Sequence, residues 1–314
     1  MNGRARVNTE FVKKAEEILQ DEKVLINEPI SKHTGFRTGG PADYFLTVKK
    51  IDLLKRIITL AFEEKIPYYI LGNGTNLLVA DSGFRGVMIR LRIAPELVFE
   101  ENRSEDGLSY VTATAGCSIS KLASECASAG LKGLEFAAGI PGTVGGAVVM
   151  NAGAYGGEIR DCIVSAEVLD SNGDLIVLDR NELELGYRTS IIRKKDYIVL
   201  SARFALPEGN VEESRKLISE LAAKRREKQP LEYPSAGSTF KRPEGYFAGK
   251  LIEDCGLKGF RIGDAQVSEK HAGFIINLGQ ATSTDIHALI LEVKKRVLER
   301  FGVELEPEVI MLGF

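Results

Sequence analysis

Apolar residues recur along the chain at two spacings, and each spacing predicts a type of secondary structure. Spacings of three and four positions predict helices over residues 9–20, 52–65, 118–129, 211–228, 247–255 and 282–301. Alternating or short continuous apolar runs predict strands over residues 43–48, 68–71, 110–114, 164–169, 174–178, 197–206, 262–267 and 273–278. The two types do not alternate regularly enough for a barrel or a doubly wound sheet. The sequence therefore predicts an α+β class with mixed sheets.

Residues at the ends of these segments support several of the boundaries. Ser118 is a candidate N-cap for a helix that ends at Gly130, and Thr282 with Asp285 forms a capping-box pattern. Asn172 and Gly173 between two apolar runs predict a β-hairpin. The predicted inward residues of the helix over 211–228 are Leu217, Ile218, Leu221 and Ala222. Those of the last helix are Ile286, Leu289, Ile290, Val293, Val297 and Phe301.

Composition narrows the classes of function. A length of 314 residues suggests two or three domains. A net charge of −3 with no long basic run argues against nucleic acid. The four cysteines form no C-x-x-C pair, the N-terminal segment has no apolar signal-peptide core, and no apolar run approaches the ~18 residues of a membrane span. We therefore expect a cytoplasmic protein without membrane insertion. The histidines are isolated, so we expect no metal site: His33, His271 and His287.

Glycine clusters indicate a ligand site lined by backbone. Residues 72–76 follow a predicted strand, and residues 139–147 begin with a Pro-Gly turn and continue as an apolar helix start. Neither loop has a Rossmann or P-loop spacing. Consecutive loop N–H groups and a helix start both favour an anion such as a pyrophosphate. Plain tight turns remain the alternative.

These loops also carry a family resemblance. Residues 69–78 and 139–147 resemble the two FAD loops of vanillyl-alcohol-oxidase (PCMH-type) flavoproteins. Residues 33–42 and 151–158 narrow the match to the UDP-N-acetylenolpyruvoylglucosamine reductase family. The resemblance implies its short, type II form, because no long insertion separates Ser238 from the last helix and Tyr155 is present. Later motifs agree in order with that family: residues 186–190, 236–241 and 305–309.

The resemblance implies two FAD-binding subdomains and a C-terminal α+β substrate-binding domain. Its implied divisions are an N-terminal helical segment (1–29), subdomains at 30–90 and 91–207, and a substrate domain at 208–314. It also implies non-covalent FAD, NADPH as co-substrate, a UDP-sugar substrate and no obligate protein partner. The implied reaction reduces UDP-N-acetylglucosamine enolpyruvate to UDP-N-acetylmuramate for peptidoglycan. Hydride would pass from flavin N5 to the terminal enolpyruvyl carbon.

The family motifs assign roles to particular residues. Arg188 would stabilise developing negative charge, Ser238 would donate the proton, and Glu308 would assist protonation. The implied FAD contacts are Leu71, Gly72, Asn73, Gly74, Thr75, Asn76, Leu77, Gly139, Ile140, Pro141, Gly142, Thr143, Gly145, Gly146, Ala147 and Arg225. The implied substrate contacts are Tyr155, Arg188, Lys228 and Arg242.

Three other functions stay open on the sequence. One is an oxidase of the same FAD fold, although no His or Cys sits beside either loop for covalent flavin. Another is a serine hydrolase using Ser238, His271 and Glu308, which lacks the G-x-S-x-G elbow. The third is a nucleotide-binding module without catalysis.

Overall fold

A computed structural model describes residues 8–94, 97–100 and 107–314. Parts of two predicted units lie outside these ranges: residues 1–7 of the N-terminal segment, and 95–96 and 101–106 of the second subdomain. The α-helices are α1 (Thr9–Leu19), α2 (Ile51–Glu63), α3 (Ile119–Ser128), α4 (Val144–Val149), α5 (Ile191–Lys194), α6 (Val211–Lys228), α7 (Ala248–Asp254) and α8 (Ser283–Phe301). The strands are β1 (Leu25–Pro29), β2 (Pro41–Val48), β3 (Tyr68–Leu71), β4 (Leu77–Val79), β5 (Phe84–Leu91), β6 (Leu97–Phe99), β7 (Leu108–Thr114), β8 (Gly153–Ala154), β9 (Gly157–Glu158), β10 (Ile163–Leu169), β11 (Leu175–Asp179), β12 (Ile198–Pro207), β13 (Ser235–Ser238), β14 (Arg261–Ile262), β15 (Ala265–Val267), β16 (Phe274–Asn277) and β17 (Ile310–Leu312).

The first sheet has the order β1-β2-β5-β3. Strands β2 and β3 both run parallel to β5, and α2 connects them, so the predicted βαβ unit is present with β5 inserted between its strands. Helix α1 packs on α2 through Phe11, whose ring lies 4.8 Å from that of Tyr44. Strand β3 ends at the first glycine loop, which places that loop at the carboxyl edge of the sheet.

The second sheet is antiparallel, in the order β11-β10-β12-β7-β6. The predicted hairpin is confirmed, because β10 and β11 pair directly and Gly173 adopts a φ of +83° in the turn. Ser118 caps α3 by accepting a hydrogen bond from the Lys121 N–H, as predicted. Helix α4 packs against β12 and β7, so the second glycine loop lies over the sheet that forms the largest core cluster.

The third sheet has the order β13-β16-β15-β14 and packs against α8. One predicted strand here is wrong: residues 262–267 form two short strands, β14 and β15, because Gly263 at φ +56° turns the chain between them. The predicted capping box of α8 is confirmed, and Gly302 ends the helix in the left-handed region. Phe301 is 37% exposed, so its predicted burial is wrong.

A strand pairing and a helix cap are among the contacts that join the third sheet and α8 to the first sheet region. Strand β17 pairs in parallel with β4, which begins directly after the first glycine loop. The Asp81 carboxylate accepts hydrogen bonds from the backbone N–H groups of Ser283 and Thr284, at 2.8 and 2.9 Å. A loop of one sheet region thus caps the long helix of the other.

Helix α6 connects the second sheet to the third. Among its eighteen residues only Ser214 is buried, and Leu217 is 42% exposed, so the predicted inward packing of Leu217 is wrong. Asn210 caps the helix start by accepting from the N–H groups of Glu212 and Glu213. None of the helices in the described ranges has the length and apolar character of a membrane span. The divisions at residues 30, 91 and 208 stay predictions.

Candidate active site

The main cavity has a volume of about 1170 Å³ and lies between the two glycine loops and the third sheet. All of the residues predicted to contact FAD line it, which places two distant segments of the sequence around one space. They are Leu71, Gly72, Asn73, Gly74, Thr75, Asn76, Leu77, Gly139, Ile140, Pro141, Gly142, Thr143, Gly145, Gly146, Ala147 and Arg225.

At two positions the first glycine loop lies so close to neighbouring atoms that a side chain would not fit. A Cβ at Gly72 would lie 2.7 Å from Thr143 Oγ1, and one at Gly74 would lie 2.0 Å from the His33 carbonyl oxygen. Gly74 also has a φ of +63°, which favours glycine. Within the described ranges, the backbone N–H groups of residues 73–76 donate to no protein acceptor. Such a run of free donors suits an anion.

The second glycine loop is fastened to the first and to α3. The Asn73 side chain donates to the Pro141 carbonyl at 2.9 Å, and the Ile119 N–H donates to the Gly142 carbonyl at 3.2 Å. Thr143 caps α4 by accepting from the Gly146 N–H at 3.3 Å. The two loops therefore form one continuous backbone surface.

Arg225 lies against this surface from α6. Its Nη1 would be 2.9 Å from a Cβ at Gly139, and its Nε donates to Gln229 Oε1 at 2.9 Å. Burial lowers the pKa of the Arg225 guanidinium. A half-buried cation without a carboxylate partner is suited to an anionic ligand.

Arg188 and Glu308 form a direct ion pair at the other side of the cavity. Arg188 Nε donates to Glu308 Oε1 at 2.6 Å, and the two side chains are only 19% and 15% exposed. Arg188 Nη2 also donates to the Gly153 carbonyl at 3.3 Å. Burial raises the pKa of the Glu308 carboxyl, while the charges of Arg188 and Lys241 oppose that rise. The guanidinium keeps Nη1 for a ligand.

Ser238 and Glu308 are connected through the backbone. Ser238 ends β13, and the next residue, Thr239, accepts a hydrogen bond from the Glu308 N–H at 2.8 Å. Glu308 is also joined to the first glycine loop, because the Asn76 side chain donates to its carbonyl at 3.1 Å. The structure thus brings Arg188, Ser238 and Glu308 to one place beside the predicted flavin loop.

A second cavity of about 350 Å³ adjoins this place. The two cavities share three lining residues, and these are Arg188, Ser238 and Glu308. The second cavity is rich in cations, which are contributed by Arg242, Lys250, Lys258 and Lys270. The Arg242 guanidinium lies 4.0 Å from the centre of the Phe247 ring, and its backbone N–H donates to the Tyr187 hydroxyl. Such a lining suits a diphosphate.

The other predicted substrate residues lie in different settings. Tyr155 lines the main cavity at the tip of the β8–β9 hairpin, where it is 49% exposed and has a φ of +53°. Lys228 is exposed at the end of α6 and lines neither of the two described cavities. The structure therefore brings Tyr155 toward the trio but leaves Lys228 outside this lining.

Several lining residues were missed from the sequence. They include Arg37, Tyr68, Tyr69, Arg193, Tyr197 and Tyr233. Tyr68 and Tyr69 were assigned only to a strand, and Arg193 has no motif around it that sequence reasoning could use. Arg37 lies within the stretch 33–42, and its φ of +54° would have been a signal only once the backbone was known.

Ser238, His271 and Glu308 do not form a hydrolase relay, although they line the same second cavity. His271 Nδ1 accepts from the Gly273 N–H at 3.1 Å, so the backbone already engages one of the two ring nitrogens that a relay between Ser238 and Glu308 needs. Glu308 Oε1 is engaged by Arg188 instead. Within the described ranges there is also no group of three or more His, Cys, Asp or Glu residues that could hold a metal ion.

Comparisons with known proteins agree with this geometry. Residues 42–179 match the model of an FAD binding domain, and residues 229–312 match the C-terminal domain of UDP-N-acetylenolpyruvoylglucosamine reductase. The reductase of Lachnoclostridium phytofermentans is 52% identical over 98% of this chain and 98% of its own. The chain belongs to the UDP-N-acetylenolpyruvoylglucosamine reductase family. A reductase from Caldanaerobacter subterraneus is 51% identical over 96% of this chain and 98% of its own.

A solved structure extends the UDP-N-acetylenolpyruvoylglucosamine reductase match to the fold. The crystal structure of the reductase from Thermus caldophilus superposes with a TM-score of 0.77 at 38% identity, over 93% of this chain and 99% of that one. The predicted family, the α+β class, the oxidoreductase class and FAD as cofactor are confirmed.

Proposed function

We propose that this protein reduces the enolpyruvyl ether of UDP-N-acetylglucosamine enolpyruvate to UDP-N-acetylmuramate, with non-covalent FAD and with NADPH as co-substrate. One observation carries the proposal. The three predicted catalytic residues, Arg188, Ser238 and Glu308, are the residues that the flavin-loop cavity and the cationic second cavity have in common. A substrate bound there would present its enolpyruvyl group to the flavin in the main cavity. Its diphosphate would lie in the second cavity.

The main cavity fits FAD by the chemistry of its lining. Free backbone N–H groups at residues 73–76 and the guanidinium of Arg225 can bind a pyrophosphate. Gly72 lets the first loop lie close to the Thr143 side chain, and Gly74 lets it lie close to the His33 backbone, so the amides stay fixed. None of the described residues that line this cavity is His or Cys, the side chains that carry covalent flavin. When bound, FAD would supply hydride transfer from NADPH to the substrate.

Arg188 would orient the substrate by its carboxylate. Its Nε donates to Glu308 and its Nη2 to the Gly153 carbonyl, which leaves Nη1 to donate to a ligand. As negative charge builds on the enolpyruvyl group, a fixed guanidinium stabilises that charge without reorganising. The buried pair thus keeps the cation in place before substrate arrives.

Ser238 would deliver the proton to the carbon beside that carboxylate. A serine hydroxyl is a weak acid, so the transfer needs a neighbouring group. Glu308 is suited to assist, because burial raises the pKa of its carboxyl and so favours the protonated form relative to an exposed glutamate. The ion pair with Arg188 prevents that pKa from rising further.

The second cavity would hold the UDP portion. Its lysines and Arg242 supply positive charge, and Arg242 is fixed by stacking on Phe247. Tyr155 would close over the sugar from the hairpin tip, and Lys228 would approach only with movement at the end of α6. We also propose that residues 30–207 hold FAD, that 208–314 bind substrate, and that the protein acts in the cytoplasm without an obligate protein partner.

Visible absorption of the purified protein tests this function. We expect a flavin spectrum that NADPH bleaches and that added UDP-N-acetylglucosamine enolpyruvate restores under anaerobic conditions. A spectrum restored only by oxygen would indicate an oxidase. A bleached flavin that the enolpyruvyl sugar leaves unchanged would contradict the proposed substrate, and a colourless protein would contradict the site.

A further inference from the structure

Asn151 is a polar residue with no exposure to solvent, at a φ of +41°, just after α4. Its side chain makes three hydrogen bonds. Nδ2 donates to Glu158 Oε2 at 2.8 Å and to the Gly186 carbonyl at 3.0 Å. Oδ1 accepts from the Arg160 N–H at 2.9 Å. Every hydrogen-bonding capacity of the amide except one lone pair is therefore used.

One of these bonds fixes the turn that carries Arg188. Gly186 and Thr189 close this turn through reciprocal backbone hydrogen bonds of 3.1 and 3.4 Å. Arg188 itself has a φ of +56°, which is unfavourable for a residue with a side chain. The turn must therefore be held from outside. Asn151 holds its first residue through the Gly186 carbonyl.

The other end of the turn is fastened to the same place. Ser190, also without exposure, donates from Oγ to the Val149 carbonyl at 2.8 Å. Val149 is the last residue of α4, two positions before Asn151. Both ends of the Arg188 turn are thus attached to the end of the helix that begins at the second glycine loop.

The remaining bonds of Asn151 fix the hairpin that carries Tyr155. Glu158 lies in β9, and the Arg160 N–H follows it in a 3-10 turn. The same hairpin supplies the Gly153 carbonyl that accepts from Arg188 Nη2. One buried amide at the end of α4 therefore links the Arg188 turn to the hairpin.

We propose that Asn151 is a positioning residue for reduction of the substrate, acting through Arg188 and Tyr155. This inference rests on the proposed function. Asn151 does not line either described cavity, so it touches neither ligand directly. A displacement of about 1 Å at a reacting group can cost 10²-fold in rate. Loss of this amide is expected to slow the step that needs the guanidinium and to leave flavin binding intact.

Asn151→Asp is the sharpest variant. It keeps the acceptor for the Arg160 N–H, removes both donors, and places a carboxylate beside Glu158. Ser190→Ala is the second variant, since it frees the opposite end of the turn without adding charge. If Asn151→Asp does not fold, Ser190→Ala still tests the inference.

Asn277 provides a matched control. It is 2% exposed, donates from Nδ2 to the Phe36 carbonyl at 2.9 Å, and accepts the N–H groups of Gly279 and Ala281. Asn277→Asp therefore removes a similar buried amide whose hydrogen bonds go to Phe36, Gly279 and Ala281 rather than to the Arg188 turn. It is expected to lower the unfolding temperature and to leave both half-reactions near wild-type rates.

The experiment measures the two half-reactions separately by anaerobic stopped-flow absorbance. For Asn151→Asp and Ser190→Ala we expect a full flavin content, reduction by NADPH within about fivefold of wild type, and reoxidation by UDP-N-acetylglucosamine enolpyruvate slowed about 10–100-fold. Equal slowing of both half-reactions, loss of flavin, or unchanged reoxidation would overturn the inference. Wild-type protein that NADPH reduces but the enolpyruvyl sugar fails to reoxidise would instead overturn the proposed reaction on which it rests.

Discussion

The flavin side of this site is formed mainly by backbone, whereas the substrate side is formed by side chains. The flavin side consists mainly of backbone from two contiguous glycine loops, at residues 71–77 and 139–147. The substrate side consists of side chains from three separate segments, which contribute Arg188, Ser238 and Glu308. The first depends on side chains being absent, and the second depends on particular side chains being present.

This difference determines how each side responds to change. A backbone surface tolerates many substitutions nearby, but it fails when a Cβ enters the space of the ligand. A side-chain cluster keeps its ligand space on truncation but loses one chemical step. Substitutions on the flavin side should therefore remove the cofactor, and those on the substrate side should separate the two half-reactions.

Gly142→Val should have the largest effect, a protein that folds but does not bind flavin. A Cβ at Gly142 meets no protein atom closer than 3.9 Å, so the added side chain fits the protein and occupies the ligand space. Flavin absorbance after purification, with circular dichroism for folding, measures both properties. Gly142→Ala is the graded control. Full flavin occupancy in the valine variant would place the cofactor elsewhere.

Ser238→Ala should leave flavin binding and reduction by NADPH intact and slow reoxidation by substrate about 10²–10⁴-fold, the usual contribution of a positioned proton donor. Stopped-flow absorbance separates these steps. Ser238→Thr retains a hydroxyl and should recover part of the rate. A loss smaller than tenfold in the alanine variant would exclude the proton-donor role.

Arg188→Met should slow reoxidation about 10²–10³-fold, because one fixed donor to the developing charge is lost. The flavin spectrum should stay unchanged, since Arg188 pairs with Glu308 and does not belong to the glycine loops. Arg188→Lys keeps the positive charge but lacks the planar guanidinium, and its reoxidation rate should fall less than that of Arg188→Met. If NADPH reduction slowed as much as reoxidation, the separation of the two sides would be wrong.

Glu308→Gln should have the smallest effect of these variants. It should change the unfolding temperature by an amount that depends on pH. Because the folded-state pKa of this acid is raised, its stabilising contribution is complete below the ordinary carboxyl pKa and is lost as pH rises through the folded value. The unfolding temperature of the glutamine variant relative to wild type should therefore increase from pH 4 to pH 8. A relative decrease would contradict the burial of this carboxyl.

The same contrast explains what the sequence could predict. The glycine loops and the caps of α3 and α8 are each encoded by residues that are adjacent in the sequence. The sequence pattern could therefore predict them. Roles for Arg188, Ser238 and Glu308 came from the family resemblance, because no local pattern reveals that residues 188 and 308 form an ion pair.

Errors in the predicted fold have local causes. Residues 262–267 alternate like one strand, but Gly263 turns the chain at its second position. Leu217 follows a helical apolar pattern, yet α6 buries only Ser214 fully and leaves Leu217 42% exposed. Strands β4 and β17 were missed because they pair across a long stretch of sequence, and β5 was missed because its mostly buried residues do not alternate.

The pairing of β17 with β4 has a consequence for how this protein acquires its cofactor. The Asn76 side chain, in the first glycine loop, reaches a backbone acceptor 232 positions later in the chain. Contacts of such long separation form late, because the intervening chain must first lose its freedom. A nascent chain still missing β17 would leave the Asn76 loop unsupported on the ribosome. The first glycine loop is therefore complete only once the last strand has docked.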